Sequence, residues 1–148
     1  MKMVIGLGHP LRGDDAAGLE VAALLQSQKP KGVQVLRATD PFRLLAWWEG
    51  AEMVIVCDAV CSGAAVGTLH RLDIETTPLP STWRSVSSHG IGLADVITLA
   101  QQLGRMPRRL ILYGIEGACF DPGAPLSPAV AEVLPQAAQA ILQELPHA

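Results

Sequence analysis

Met53-Val54-Ile55-Val56-Cys57-Asp58 is an unbroken apolar run closed by an acid. It does not alternate between apolar and polar residues, so both faces of the strand it predicts must be covered. That is the signature of a central strand in a largely parallel sheet with helices above and below.

The rest of the chain reads outward from this strand as alternating elements. Residues 2–7 form a second short apolar strand ending in glycine, and residues 33–37 a third. Ala17, Val21, Leu24 and Leu25 share one face of a helix that stops at Lys29-Pro30-Lys31-Gly32. Thr39 or Asp40 can cap a helix with Pro41 in its first turn and Gly50 after its end. Beyond the central strand, residues 67–74 alternate in polarity, as expected nearer an edge. Residues 75–88 are rich in Pro, Ser and Thr and read as an irregular loop. Ser87 or Ser88 then caps a helix carrying Leu93, Val96, Ile97, Ala100 and Leu103 at helical spacing, closed by Gly104. Residues 109–115 form the last strand, and Ser127-Pro128 opens the terminal helix. Pro135 inside that helix predicts a kink, since a mid-helix proline costs about 3 kcal/mol in an unconstrained helix. Strands alternating with helices predict an α/β fold: one domain over residues 1–148, a three-layer α/β/α sandwich with a mostly parallel five-stranded sheet and helices on both faces.

Composition agrees with an enclosed sheet. The 148 residues are 49% hydrophobic and 17% charged, with a formal net charge of −3. The basic residues form no stripe suited to a phosphate backbone, which argues against nucleic acid. The three cysteines, Cys57, Cys61 and Cys119, make no C-x-x-C pair and point to a reducing compartment, so a cytoplasmic location is expected. No stretch approaches the roughly 18 apolar residues of a membrane span, and membrane insertion is not expected.

Three polar groups are expected at the carboxyl ends of the strands, where open α/β sheets bind ligands. An acidic pair, Asp14-Asp15, follows the first strand, Asp58 closes the central one, and His89 falls in the first turn of the helix after the long loop. Two carboxylates and an imidazole suit a divalent metal with open positions for water or substrate. Taken singly, each has an ordinary explanation. Asp14 is expected simply to complement the helix start, which is worth about 0.3–1 kcal/mol. His9 lies in the glycine loop and could reach the same cleft, whereas His70 is expected within a strand. Cys61 is expected to be a small buried hydrophobe. Nucleotide chemistry is disfavoured because Leu11 stands where G-x-G-x-x-G needs glycine, and neither a G-K-[ST] loop nor a G-x-S-x-G elbow is present.

Several blocks, in order, carry a resemblance: GLGHPLRGDDAAG, VIVCDAV, SSHGIGLADVI and LYGIEGACFDPGAPLSPAV. The first resembles the G-x-G-N-x-L-x-x-D-[DE]-G-x-G signature of the [NiFe]-hydrogenase maturation endopeptidases. The resemblance implies a hydrolase that removes a C-terminal extension from a hydrogenase large-subunit precursor after nickel insertion. It also implies an α/β/α fold and places the metal-contacting and catalytic positions on Asp15, Asp58 and His89. The nickel would be carried by the substrate, with another divalent metal as an option in the resting enzyme. His9 replaces the signature's asparagine, which makes it a possible fourth ligand, and Ala16 replaces a glycine. The expected partner is the precursor, met by a monomer. Contacts are expected from loop 75–88, with Trp83 and Arg84, and from loop 117–126, with Phe120. The alternative is a non-catalytic chaperone or metal-delivery protein acting on the same precursor; a hydrolase of unrelated small substrates is weaker, since fold alone says little about function.

Overall fold

A computed structural model describes residues 1–80, 83–85 and 92–145. Strands β1 (Lys2–Leu7), β2 (Val33–Ala38), β3 (Met53–Cys61), β4 (Leu69–Asp73) and β6 (Leu110–Glu116) form a sheet in the order β2-β1-β3-β6-β4. A short strand β5 (Arg84–Ser85) adds to the end of β3. The pairings of β1 with β2, β1 with β3, and β3 with β6 are parallel, while β4 lies antiparallel on the β6 edge. The helices are α1 (Ala17–Gln28), α2 (Arg43–Trp48), α3 (Leu93–Leu103) and α4 (Pro128–Glu144).

The sandwich follows from which way successive strand residues point. Met53, Ile55, Cys57 and Ala59 pack with α1 and α4, whereas Val54 and Val56 pack with α2 and α3. Trp48 is completely buried in the second of these cores. Among the described residues no helix is long and apolar enough to cross a membrane.

Several boundaries differ from the sequence reading. Asp58 does not end the central strand, because hydrogen-bonded pairing with β6 carries β3 on to Cys61. The segment 75–88 is not wholly irregular, since Val60 and Cys61 pair with Ser85 and Arg84. Helix α3 begins at Leu93, with the Asp95 carboxylate accepting the Gly92 N–H at 2.9 Å. Ser87, Ser88 and His89 themselves lie outside the described residues. Pro135 lies inside helix α4, which spans Pro128–Glu144.

The start of α1 is pressed against the sheet. A Cβ on Gly18 would lie 2.2 Å from the Cys57 carbonyl oxygen and 2.5 Å from that of Leu7. One on Gly6 would lie 2.3 Å from the Gly18 carbonyl oxygen. Backbone meets backbone here, so no side chain can turn aside to relieve the clash. Gly18→Ala is expected to cost about 3 kcal/mol. That corresponds to a fall of about 6–12 °C in Tm for a chain of this size. A thermal melt within about 2 °C of the parent would show that α1 can lift off without penalty.

Candidate functional site

The sheet order creates the crevice. From β1 the chain crosses through α1 to β2 on one side, while β3 lies on the other. This reversal separates the loops that follow β1 and β3, the place where open parallel sheets bind ligands. The sequence supplies a carboxylate to each side of it.

Asp15 comes from the turn after β1. The turn Gly13–Ala16 is a single 3-10 element, entered through Gly13 at φ +57°, and the Asp15 N–H donates to the Arg12 carbonyl oxygen at 3.1 Å. A Cβ on Gly13 would lie 2.4 Å from the Cys119 carbonyl oxygen, so this position combines a left-handed backbone with close packing. The Asp15 side chain is almost wholly buried. Burial pushes its pKa up to about 6, against the electrostatic pull of Arg12 and His9.

Asp58 comes from within β3. It points to the α2/α3 side, and its Oδ1 accepts the Ala59 N–H at 2.8 Å. It is 4% exposed. Among the described residues, Val60, Leu79, Trp83, Leu93, Ala94 and Tyr113 line its recess. Cys61, three residues on, points to the opposite face and is exposed, contrary to the expectation of a buried thiol. The buried cysteine is Cys57.

Asp14 does not do what its position at a helix start suggests. Neither the 3-10 turn nor α1 receives a side-chain cap. Instead its fully buried carboxylate reaches across to the segment after β6. It accepts hydrogen bonds from the N–H groups of Ala118 at 2.7 Å, Cys119 at 3.1 Å and Ser127 at 2.7 Å, and from the Ser127 hydroxyl at 2.7 Å. Burial alone would raise its pKa, but these four bonds together hold it below the usual carboxylate range.

Glu116 is a fourth buried acid, which the sequence reading did not single out. It accepts from the Ser62 N–H at 2.8 Å, the Ser62 hydroxyl and His70 Nε2 at 3.1 Å. Burial opposes its ionisation, and these partners prevail to hold its pKa low. A polar residue closing an otherwise apolar strand is the signal that could have found it, as it found Asp58. His70 also meets Trp83 edge to face, with ring centroids 5.6 Å apart.

His9 is half-exposed. Its Nδ1 accepts the Leu11 N–H at 3.2 Å, and the His9 backbone N–H donates to the Asp15 carbonyl oxygen at 3.2 Å. A ring whose Nδ1 accepts in this way carries its proton on Nε2 when neutral. Among the described residues no three His, Cys, Asp or Glu side chains converge as a metal-binding group.

This frame matches known proteins along nearly its full length. The hydrogenase maturation protease family model matches residues 19–144. The chain belongs to the hydrogenase maturation protease family. Hydrogenase 2 maturation protease of Escherichia coli is 30% identical across 97% of this chain and 89% of its own length. HupD, a hydrogenase expression/formation protein of Rhodobacter capsulatus, is 33% identical across 97% of this chain and 70% of its own. Among solved structures, the hydrogenase maturating endopeptidase HybD from E. coli superposes with a TM-score of 0.83 at 29% identity, covering 99% of this chain and 93% of that one. HybD of Thermococcus kodakarensis superposes with a TM-score of 0.73 at 29% identity, covering 98% and 99%. As a member of the hydrogenase maturation protease family, the chain thus has the α/β fold expected from its strand and helix pattern.

Proposed function

We propose that this protein is an endopeptidase that removes the C-terminal extension of a [NiFe]-hydrogenase large-subunit precursor once nickel is in place. The observation that carries the reading is a pair of buried carboxylates, Asp15 and Asp58, flanking the switch point of the sheet in a hydrogenase maturation protease. Burial raises the Asp15 pKa, so its charged form gains from a divalent cation presented by a substrate.

In this reading nickel arrives as part of the precursor. Asp15, Asp58 and His89 contact it, which tests for its presence and sets the scissile bond against the enzyme. The donor set is chemically apt: carboxylate oxygen and imidazole nitrogen both suit nickel. His9 serves differently. With Nδ1 engaged by Leu11, its Nε2–H is a donor, as the amide of asparagine would be, so we favour three protein ligands over four.

The decisive experiment mixes the purified protein with nickel-loaded precursor and follows the large subunit's length on a gel. Shortening is expected. A precursor that is bound yet unshortened would instead favour the chaperone or metal-delivery reading.

A pH dependence follows from Asp15. Its pKa of about 6 leaves it ionised at neutral pH and protonated in mild acid, where it cannot contact a cation. Processing, measured as kcat/KM, should therefore fall as pH drops through about 6. A flat profile between about pH 5 and 8 would remove Asp15 from the role given to it here.

A further inference from the structure

The Asp58 recess does not end at Asp58. Leu79, Trp83 and Ala94 also form one end of a groove of about 530 Å³ that runs between residues 74–80 and α3. Along its helical side lie Ala94, Thr98 and Gln101, exposed residues stacked on one face by their spacing. With a rise of 1.5 Å per residue, Ala94 to Gln101 spans about 10 Å, the length of about three residues of extended chain. Apart from Glu75 the lining is uncharged. Thr76, Thr77 and Thr98 bring hydroxyls and Gln101 an amide, groups able to bond a peptide backbone, while Leu79 and Ile97 give an apolar floor.

Trp83 is the fixed post where groove and recess meet. Its indole lies over Gly114 so closely that a Cβ there would be 2.7 Å from the ring. His70 braces it edge-on and is itself held by Glu116. The backbone just after it, Arg84–Ser85, is paired to Cys61 and Val60, three and two residues beyond Asp58.

We infer that this groove seats the precursor as an extended segment of about three residues next to the scissile bond, with Trp83 as the wall that turns the chain toward Asp58. The inference rests on the endopeptidase reading above. Continuity is what commits the groove to this occupant: Leu79, Trp83 and Ala94 line both the groove and the recess of Asp58, so a chain lying along α3 ends beside the walls of that recess.

The test uses nickel-loaded, full-length precursor and the variant Thr98→Trp, which fills the groove from an exposed helix position. The expected result is a KM raised at least about tenfold with kcat within about twofold, the pattern of lost uniform binding, and an unchanged Tm. A photo-crosslinking substitution, Gln101→p-benzoylphenylalanine, should label the precursor's C-terminal cleavage segment. Parent enzyme that cleaves the precursor while Thr98→Trp keeps its KM would overturn the groove and leave the function standing. Crosslinks confined to the body of the large subunit, or to a second copy of this chain, would also overturn it. Parent enzyme that cannot cleave the precursor would bring down the functional reading, and the groove's assignment with it.

Discussion

Asp15→Asn is expected to abolish processing while making the protein more stable at neutral and alkaline pH. The two effects share one cause. The folded protein binds a proton at Asp15 more tightly than the unfolded chain does, with a pKa of about 6 against 3.8. Below the lower value both states are protonated, and the group adds no pH dependence. As pH rises from about 4 to 6 the unfolded chain ionises first, so stability is lost through that window and stays lost above it. Two pKa steps amount to about 3 kcal/mol. An asparagine avoids ionisation but still buries an amide, so the net gain should be about 2 kcal/mol, or about 4–8 °C in Tm at pH 8. Below about pH 4 the gain should vanish. Processing of nickel-loaded precursor should meanwhile fall at least about 100-fold, since an amide cannot supply the anionic oxygen a cation requires. A variant destabilised at pH 8 would show that Asp15 is a structural acid; one that processes normally would show that it does not touch the substrate.

The difference between Asp15 and its neighbour explains what the sequence made legible. The layered fold could be read because burial on both faces of a parallel sheet forces continuous apolar strands, and residues 53–57 and 109–115 are such strands. Asp58 stands out because it closes such a run, and the Asp14-Asp15 pair because it follows the glycine turn after the first strand, but choosing Asp15 from that pair rested on the family resemblance. The role of Asp14 could not be read. Its partners Ala118, Cys119 and Ser127 are more than a hundred positions away, and three of the four hydrogen bonds come from backbone N–H groups, which any residue pattern would permit. The end of β3 was missed for a related reason: Ala59, Val60 and Cys61 look like a loop after an acid until β5 and β6 pair with them. His70 and Glu116 likewise meet only because β4 returns antiparallel along β6.

Asp14→Ala should be the most destabilising single change at the site. The carboxylate is fully buried and satisfies three backbone N–H groups and one hydroxyl, so truncation leaves four partly buried donors without their acceptor. Each stranded donor carries a penalty of about 1–3 kcal/mol, but the segment after β6 can relax and recover part of it, which sets the expected loss near 4 kcal/mol. Urea unfolding should show this as a lowered midpoint with an unchanged slope. Asp14→Asn should recover only part of the loss, because its amide group turns N–H toward N–H wherever the second oxygen had accepted. The depressed pKa adds a signature in acid. Stability from Asp14 is fully present above its unfolded value near 3.8 and disappears as pH falls through the lower folded value, so the parent should lose stability below about pH 4 in a way that the alanine variant does not. A loss under about 1 kcal/mol would mean that the clamp is incidental. The effect should also reach the chemistry. Ser127 directly precedes α4, and the turn that carries Asp14 carries Asp15, so the buried clamp ties the loop after β6 to the turn after β1 and fixes the position from which Asp15 faces the crevice. In the endopeptidase reading proposed above, the ionised Asp14 keeps the turn in place while Asp15 offers its carboxylate to the cation.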